Sequence, residues 1–530
     1  MRHVEVFDTT LRDGLQVEGV SATVDDKLRI AEQLDLLGVH FIEGGWPGAN
    51  PKDIEFFARA RHELELTTST LVAFGSTRRP RGKVDDDATL RNLIEANTPA
   101  VCIVAKSSEY QVVEALQTTL DEGAAMIADS VGYLHGQGRM VLVDLEHFFD
   151  GYKDNPEFSL RAIEAAVVNG ASHLVLCDTN GGTLPSEVHR IVGDVKAHVG
   201  DDATIGIHCH DDTGCAVANS MAAVEAGAGH VQGTLNGLGE RTGNTNLSTV
   251  IPNLQLKLGY TCLPDGRIGR LTAVSHHVAE TLNRAVNPQA PYVGSSAFAH
   301  KAGLHVSAIV RAKDAYEHVN PEVVGNGTRF VVSEMAGRAT IQMKADEIGI
   351  ELDGAAINEV VDELKRLEHE GYHFEAADAS LELLMRRAAG QVPEFFQVES
   401  MRVITDELPG GEFSTEATVK VWVGDGDDAE RRVWVAEGNG PVNAIDTALR
   451  QAVGTMLPQL AGIHLTDYKV RILDGTSATG STTRVLLSAT DGERDWTTIG
   501  VSPNIIEASW RALEDSLVYG LLHHSLRADA

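Results

Sequence analysis

This 530-residue sequence lacks several features that mark membrane, secreted or nucleic-acid-binding proteins. It has no run of eighteen apolar residues, so no transmembrane helix is predicted. The five cysteines are scattered without a Cys-x-x-Cys spacing, so we expect reduced thiols and no cysteine-based zinc site. Lysine and arginine number 44 against 76 acidic residues, and the net charge of −32 disfavours nucleic acid and anionic membranes as partners. The amino-terminal residues contain no apolar signal segment, so we expect a cytoplasmic protein.

Apolar runs alternate with amphipathic stretches in the first half of the chain and predict eight strand–helix units. The strands are predicted at residues 4–7, 39–44, 69–75, 100–105, 140–146, 173–177, 204–208 and 230–236. They are rich in Val and Ile with little alternation, which is typical of strands covered on both faces. Eight such units predict an α/β fold with a closed (β/α)₈ TIM barrel, whose catalytic groups gather where the strands end.

Two histidines one residue apart, His208 and His210, end the seventh predicted strand. Side chains alternate faces along a strand, so both imidazoles point the same way and provide half of a metal site. Histidine pairs without a metal also occur on strands. Asp13 on the first loop and Asn244 on the last can complete the set, because the first, seventh and eighth strands are neighbours in a closed barrel. Two nitrogens and two oxygens suit Mg²⁺, Mn²⁺, Zn²⁺ or Co²⁺; alternatively, Asp13 caps a helix.

Two further charged side chains lie at predicted strand ends. Arg12 offers a planar fork for a carboxylate, and the alternative is a surface ion pair. Glu146 ends the fifth strand on the same face as Asp144, and either orients another group or serves acid–base chemistry. The glycines of residues 233–239 allow a backbone to approach a ligand closely, which alone is weak evidence of a site.

Several segments resemble one enzyme family. Residues 8–16, DTTLRDGLQ, resemble the signature loop of the metal-dependent acyl-CoA lyase and synthase barrels. Residues 208–214, HCHDDTG, and 236–244, NGLGERTGN, are similar to the branch of 2-isopropylmalate, homocitrate and citramalate synthases. Residues 43–51, EGGWPGANP, and 298–305, FAHKAGLH, resemble the long citramalate synthases in particular. The resemblance covers essentially the whole chain.

The resemblance implies roles for individual residues. The implied ligands of a divalent metal ion are Asp13, His208, His210 and Asn244. The implied holders of a 2-oxo acid carboxylate are Arg12 and Thr179. The implied catalytic residues are Arg12, Glu146, His305 and Tyr316. Two relatives fit less well, because the lyases place a catalytic Cys where this chain has residues 240–242, ERT, and the carboxyltransferases place a modified Lys where this chain has Cys177.

The implied activity is a Claisen-type condensation of acetyl-CoA with pyruvate that gives (R)-citramalate and CoA, in isoleucine biosynthesis. The alternative within the family is 2-isopropylmalate synthesis from 2-oxoisovalerate. Two other classes stay open. A metal-dependent barrel hydrolase also uses His-x-His, though typically on the first strand, and a small-molecule sensor would combine the terminal domain with an inactive barrel.

Three domains are predicted: a catalytic barrel at 1–265, a helical subdomain covering the active site at 266–395, and a regulatory or dimerisation domain at 396–530. In the last, two successive strand–strand–helix halves form a weak internal repeat. It resembles the carboxy-terminal regulatory domain of 2-isopropylmalate synthases, including residues 438–444, GNGPVNA. We therefore expect a homodimer with isoleucine as a possible effector; a module for dimerisation alone is the alternative.

Overall fold

The computed structural model describes residues 2–301, 308–309, 311–312, 315–330, 337–424, 429–473 and 480–528. The chain folds into two compact units. The first consists of Met1–Phe298 with Glu317–Thr328, and the second of Ala299–Tyr316 with Arg329–Ala530. Within the described ranges, no helix is both long enough and apolar enough to cross a membrane.

The first unit contains a closed barrel of parallel strands, as predicted. Its strands are β1 (Glu5–Asp8), β2 (Phe41–Gly45), β3 (Thr70–Ser76), β4 (Ala100–Lys106), β5 (Met140–Glu146), β6 (His173–Asp178), β7 (Thr204–Cys209) and β8 (His230–Gly233). Neighbours in sequence are neighbours in the sheet, and β1 pairs with β8 in parallel to close it. The strands are buried because helices cover their outer face and side chains fill the interior.

Helices alternate with the strands. They are α1 (Val24–Leu37), α2 (Pro51–Glu63), α3 (Ala88–Ala96), α4 (Leu120–Gly136), α5 (Phe148–Asp154), α6 (Pro156–Val168), α7 (Pro185–Val199), α8 (Ala216–Glu225), α9 (Leu247–Pro252) and α10 (Leu271–Thr281). Local sequence fixes several ends. Thr23 and Asp26 form a capping box at the start of α1, and Gly38, with φ of 94°, caps its carboxy-terminal end. Asn50 caps α2 and Pro51 occupies its first turn.

The eighth strand is shorter than predicted. It ends at Gly233, and a Cβ there would lie 2.4 Å from the backbone oxygen of Thr245. The chain then turns through Asn236, whose φ is 63°. This close approach brings the loop that contains Asn244 against the end of the strand.

The second unit is built of small sheets and helices. Its strands are β9 (Ala299–His300), β10 (Arg329–Phe330), β11 (Phe396–Glu407), β12 (Phe413–Val423), β13 (Glu430–Gly438), β14 (His464–Ile472), β15 (Thr483–Thr490) and β16 (Asp495–Ser502). Its helices are α11 (Arg338–Glu347), α12 (Gly354–His369), α13 (Asp378–Ala388), α14 (Pro441–Val453) and α15 (Ile505–Ala528). The sheets β11–β12–β13 and β14–β15–β16 are antiparallel, and α14 and α15 pack on them. Each half thus has three strands, and the prediction of two was wrong.

Candidate active site

Three of the predicted metal ligands meet at the carboxy-terminal end of the barrel. Asp13 follows β1, His208 belongs to β7, and His210 follows that strand. The Oδ2 atom of Asp13 lies 3.4 Å from Nε2 of His208 and 4.0 Å from Nε2 of His210. All three side chains are buried, and one ligand atom of each lies within 4.8 Å of the others. Asp13 makes no capping hydrogen bond to the following turn, so the helix-cap alternative gains no support.

Asn244, the fourth predicted ligand, is held beside His210. Their backbones form an antiparallel bridge. Asn244 donates its side-chain N–H to the Leu238 oxygen at 3.1 Å, which leaves its Oδ1 buried without a hydrogen-bond partner among the described residues. A Cβ at Gly239 would lie 2.1 Å from the Asn244 amide nitrogen, so the glycine-rich loop makes room for this side chain. An unpartnered buried oxygen beside two imidazoles and a carboxylate fits a divalent cation.

A chain of hydrogen bonds orients His208. Gln232 on β8 donates its amide N–H to Asp144 Oδ1 at 2.9 Å, and its Oε1 lies 2.9 Å from His208 Nδ1. Since Oε1 can only accept, Nδ1 carries a proton and donates it. In the neutral imidazole, Nε2 then carries the lone pair, and this lone pair faces Asp13. This is the tautomer that metal binding through Nε2 requires.

The charges of the cluster are coupled. Burial by itself raises the pKa of Asp13, but the charge of Arg12 and the contact with His208 outweigh it, so this pKa lies well below its usual range. Burial lowers the pKa of His208, yet the contact with Asp13 raises it overall. Burial and the neighbouring His208 lower the pKa of His210 to about 4. The Asp13 carboxylate and the neutral imidazole of His210 are therefore present at neutral pH, as metal binding requires.

Arg12 lies beside the proposed metal ligands, and neighbouring side chains hold one side of its guanidinium group. Its Nε donates to Glu43 Oε2 at 2.7 Å, its Nη1 lies 3.5 Å from Asp13 Oδ2, and its guanidinium carbon lies 3.9 Å from the Phe74 ring centroid. Glu43 is fully buried and also accepts from the Thr9 hydroxyl. Arg12 is thus anchored inside the protein, and its contacts are not those of a surface ion pair, which was the alternative.

The cavity has a volume of about 310 Å³ and is lined by both predicted oxo-acid residues and by Glu146. Lys106 donates to the Glu146 carboxylate. The Thr179 hydroxyl oxygen accepts from the backbone N–H of His147 at 2.8 Å, so its O–H proton can point into the cavity. Arg241 donates to the Thr179 carbonyl and pairs with Asp212 at 2.8 Å.

Two predicted catalytic residues are not among the described residues that line this cavity. His305 lies outside the described residues. Tyr316 belongs to the second unit, where its side chain is exposed. Arg78, a charged residue at the end of the third strand, is buried in ion pairs with Glu122 and Asp129 and does not line the cavity.

Gln232 was not predicted from the sequence as a functional residue, and Glu43 was assigned no role. Both depend on cross-strand contacts that the sequence does not reveal. The available signal was a polar side chain inside an apolar strand or at its end, which is unusual unless it is hydrogen-bonded.

We expect Gln232→Leu to weaken divalent metal binding by about 10- to 100-fold, because the orientation and tautomer of His208 are no longer fixed. The affinity for Mn²⁺ is measured in two ways: from the initial rate at increasing Mn²⁺ concentration, and by calorimetric titration. The matched control is Gln342→Leu, which removes an exposed amide that contacts Asp346. Equal metal affinity in the wild type and the Gln232 variant would contradict the positioning role.

Comparison with known proteins divides the chain into three matched segments. Residues 3–278 match the HMGL-like family, residues 292–372 the homocitrate synthase post-HMGL domain-like family, and residues 375–521 the LeuA allosteric (dimerisation) domain. An (R)-citramalate synthase of Streptomyces coelicolor is 54% identical over 98% of this chain and 96% of that protein. One of Aquifex aeolicus is 50% identical over 98% of both. A probable 2-isopropylmalate synthase of Methanopyrus kandleri is 33% identical over 96% of both.

Proposed function

Because this chain belongs to the HMGL-like family, on the branch of the (R)-citramalate synthases, we propose that it condenses acetyl-CoA with pyruvate to give (R)-citramalate and CoA. The observation that carries the proposal is the higher identity to proteins of that name, 54% against 33% for the 2-isopropylmalate synthase, over nearly the whole chain. The assembled ligand set in the barrel mouth supports it. A place in isoleucine biosynthesis and a cytoplasmic location, where both substrates are available, belong to the same proposal.

The residues present fit a divalent metal ion, held by Asp13, His208, His210 and Asn244. When bound, such an ion polarises the keto group of the 2-oxo acid as a Lewis acid. The identity of the ion is left open among Mg²⁺, Mn²⁺, Zn²⁺ and Co²⁺, since two nitrogens and two oxygens suit each.

The other residues of the pocket bind and orient the substrates. Arg12 presents its remaining N–H groups to the oxo-acid carboxylate, while Glu43 fixes the guanidinium. Thr179 donates its hydroxyl proton to the same carboxylate. Glu146, held by Lys106, accepts a proton from the acetyl methyl group. Attack of the resulting enolate on the keto carbon breaks the C=O π bond and forms the C–C bond, and the alkoxide oxygen takes up a proton. Water then hydrolyses the thioester, which releases the CoA thiol and leaves the new carboxylate. His305 and Tyr316 remain proposed partners in the acid–base chemistry.

Two aromatic rings form part of the cavity wall. The ring centroids of Trp46 and Phe74 lie 5.5 Å apart, and both rings line the cavity of about 310 Å³. A second cavity of about 610 Å³ shares Arg12, Gln16 and Trp46 with it. We assign the first to pyruvate, and the second offers space for the acyl-CoA.

We expect the full-length protein to release CoA thiol from acetyl-CoA with pyruvate and to prefer it to 2-oxoisovalerate by at least about tenfold in kcat/KM, since each extra methyl group must fit the pocket. A thiol reagent follows the release with a panel of 2-oxo acids. Release with 2-oxoisovalerate but not with pyruvate would overturn the citramalate assignment. Release that is independent of any oxo acid would favour the hydrolase class.

The second unit is proposed to mediate dimerisation and feedback. Its two three-stranded sheets carry helices on one face, and apolar side chains remain exposed elsewhere. They include Val433, Trp434 and Val435 on β13 and Tyr468, Val470 and Ile472 on β14. Exposed apolar side chains of this kind are typical of an interface, which supports a homodimer.

The backbone N–H groups at the start of α14 have no side-chain cap and could receive the carboxylate of isoleucine. The three-domain boundaries 1–265, 266–395 and 396–530 are part of this proposal.

We expect isoleucine to inhibit the full-length protein and to have little effect on a chain ending near Val392, because an effector acts only through differential binding to two states. Initial rates at increasing isoleucine concentration compare the two proteins. Valine, one methylene shorter, serves as the control ligand. Equal sensitivity of both proteins to isoleucine would leave dimerisation as the sole role of the terminal domain.

A further inference from the structure

A second cluster of potential metal ligands lies at the opposite end of the barrel. Glu5, His173 and His230 are the first residues of β1, β6 and β8, whereas the candidate active site lies where the strands end. Three residue steps separate Glu5 from the last residue of β1, a distance of about 10 Å along the strand. This cluster is therefore separate from the candidate active site and independent of the proposed function.

The three side chains converge on one point. The Oε2 atom of Glu5 lies 2.7 Å from Nε2 of His173 and 3.6 Å from Nδ1 of His230. The ring centroids of the two histidines are 5.0 Å apart, and one ligand atom of each of the three residues lies within 4.8 Å of the others.

His230 provides the strongest indication of a ligand. It is fully buried, and neither of its ring nitrogens has a hydrogen-bond partner among the described residues. An unpaired buried polar group costs about 1–3 kcal/mol. The ring is nevertheless accommodated: a Cβ at Gly206 on β7 would lie 2.8 Å from its Cδ2 atom, so the glycine provides the space.

The hydrogen bonds of His173 favour the same interpretation. The Ser172 hydroxyl donates to the Val141 carbonyl at 3.0 Å, so its oxygen accepts from His173 Nδ1–H at 2.9 Å. In the neutral imidazole, Nε2 then carries a lone pair that faces the Glu5 carboxylate. Without a metal ion, a proton between Nε2 and the carboxylate holds this pair at 2.7 Å, and a divalent cation would take the place of that proton.

We infer that Glu5, His173 and His230 form a binding site for Zn²⁺ or Co²⁺ that ties β1, β6 and β8 together at the base of the barrel. Two imidazoles and a carboxylate form a ligand set typical of zinc, and the Glu5 side chain is 28% exposed, so water can fill the fourth position. Metal–ligand bonds of about 2.0–2.2 Å require the ligand atoms to lie roughly 3.3 Å apart. Glu5 and His173 must separate slightly, while Glu5 and His230 already have about this spacing.

The test is the zinc stoichiometry of the full-length protein. After equilibration with Zn²⁺ and removal of the free ion, the wild type is expected to retain one equivalent per chain more than Glu5→Gln. That variant should keep its active-site metal and its turnover, because the change lies at the other end of the barrel. Glu164→Gln, in a surface pair with His198 at 3.0 Å, is the matched control and should retain the wild-type stoichiometry. Equal stoichiometry in the wild type and a folded Glu5→Gln would overturn the inference.

A second measurement needs no variant. Anomalous diffraction at the zinc edge, from wild-type crystals soaked in Zn²⁺, is expected to show a peak between Glu5 Oε2, His173 Nε2 and His230 Nδ1. Absence of this peak, with a peak present at Asp13 and His208, would overturn the site.

Discussion

His208→Ala and Asp13→Ala are each expected to lower turnover by about 10³-fold or more, because either change removes a proposed ligand of the metal ion that would polarise the keto group. The effect should be on kcat and on metal affinity together, since Asp13 and His208 contact each other at 3.4 Å and act as one site. Initial rates at saturating substrates, with calorimetric titration of Mn²⁺, measure both quantities.

The matched control is His189→Ala, which removes an exposed histidine from α7 and should leave both quantities unchanged. Excess chelator should abolish the activity of the wild type, and added divalent metal should restore that activity. Full activity of the wild type in excess chelator would contradict a metal-dependent reaction at this site.

Arg12→Lys is expected to lower kcat/KM for pyruvate by about 10²-fold or more, although the positive charge is retained. Arg12 donates to Glu43 through Nε while its other N–H groups face the cavity. A lysine has one ammonium group on a flexible stem and cannot hold the same fork beside both the buried Glu43 and a substrate carboxylate.

The steady-state constants for each substrate measure this prediction. The KM for acetyl-CoA should change little, because Arg12 is assigned to the oxo-acid carboxylate. Arg59→Lys is the control, since that arginine pairs with Asp25 and Glu63 at the surface. An unchanged kcat/KM for pyruvate, or an equal rise in the KM of both substrates, would contradict the assignment.

The barrel could be predicted from the sequence because each strand is a short apolar run buried on both faces. Predicted and observed ends of β5 coincide at Met140–Glu146. The pattern of apolar residues does not show which segments distant in sequence approach a strand. The end of β8 was therefore predicted three residues too late. Its true end depends on the contact of Gly233 with Thr245.

The terminal domain was harder to predict because its outer strands are partly exposed. Strand β11, Phe396–Glu407, has many exposed side chains, and β16, Asp495–Ser502, is mostly buried but has Thr497, Thr498 and Gly500 among its apolar residues. Neither presents the continuous apolar run that revealed the barrel strands.

The convergence of the proposed metal ligands could be predicted because strand periodicity pairs His208 with His210, and barrel closure brings Asp13 and Asn244 to the same end. Their supporting contacts could not be predicted. The link from Asp144 through Gln232 to His208 joins β5, β8 and β7, and it depends on side-chain geometry inside the barrel. The roles of His305 and Tyr316 stay predictions.

The most direct test of the proposed reaction is to follow the new carbon–carbon bond. Purified full-length protein is incubated with divalent metal, pyruvate and acetyl-CoA labelled with ¹³C at the methyl carbon, and the products are analysed by NMR and chiral chromatography. The expected products are (R)-citramalate with the label in its methylene group and one equivalent of free CoA thiol. Release of CoA with labelled acetate and no new carbon–carbon bond would contradict the proposed reaction.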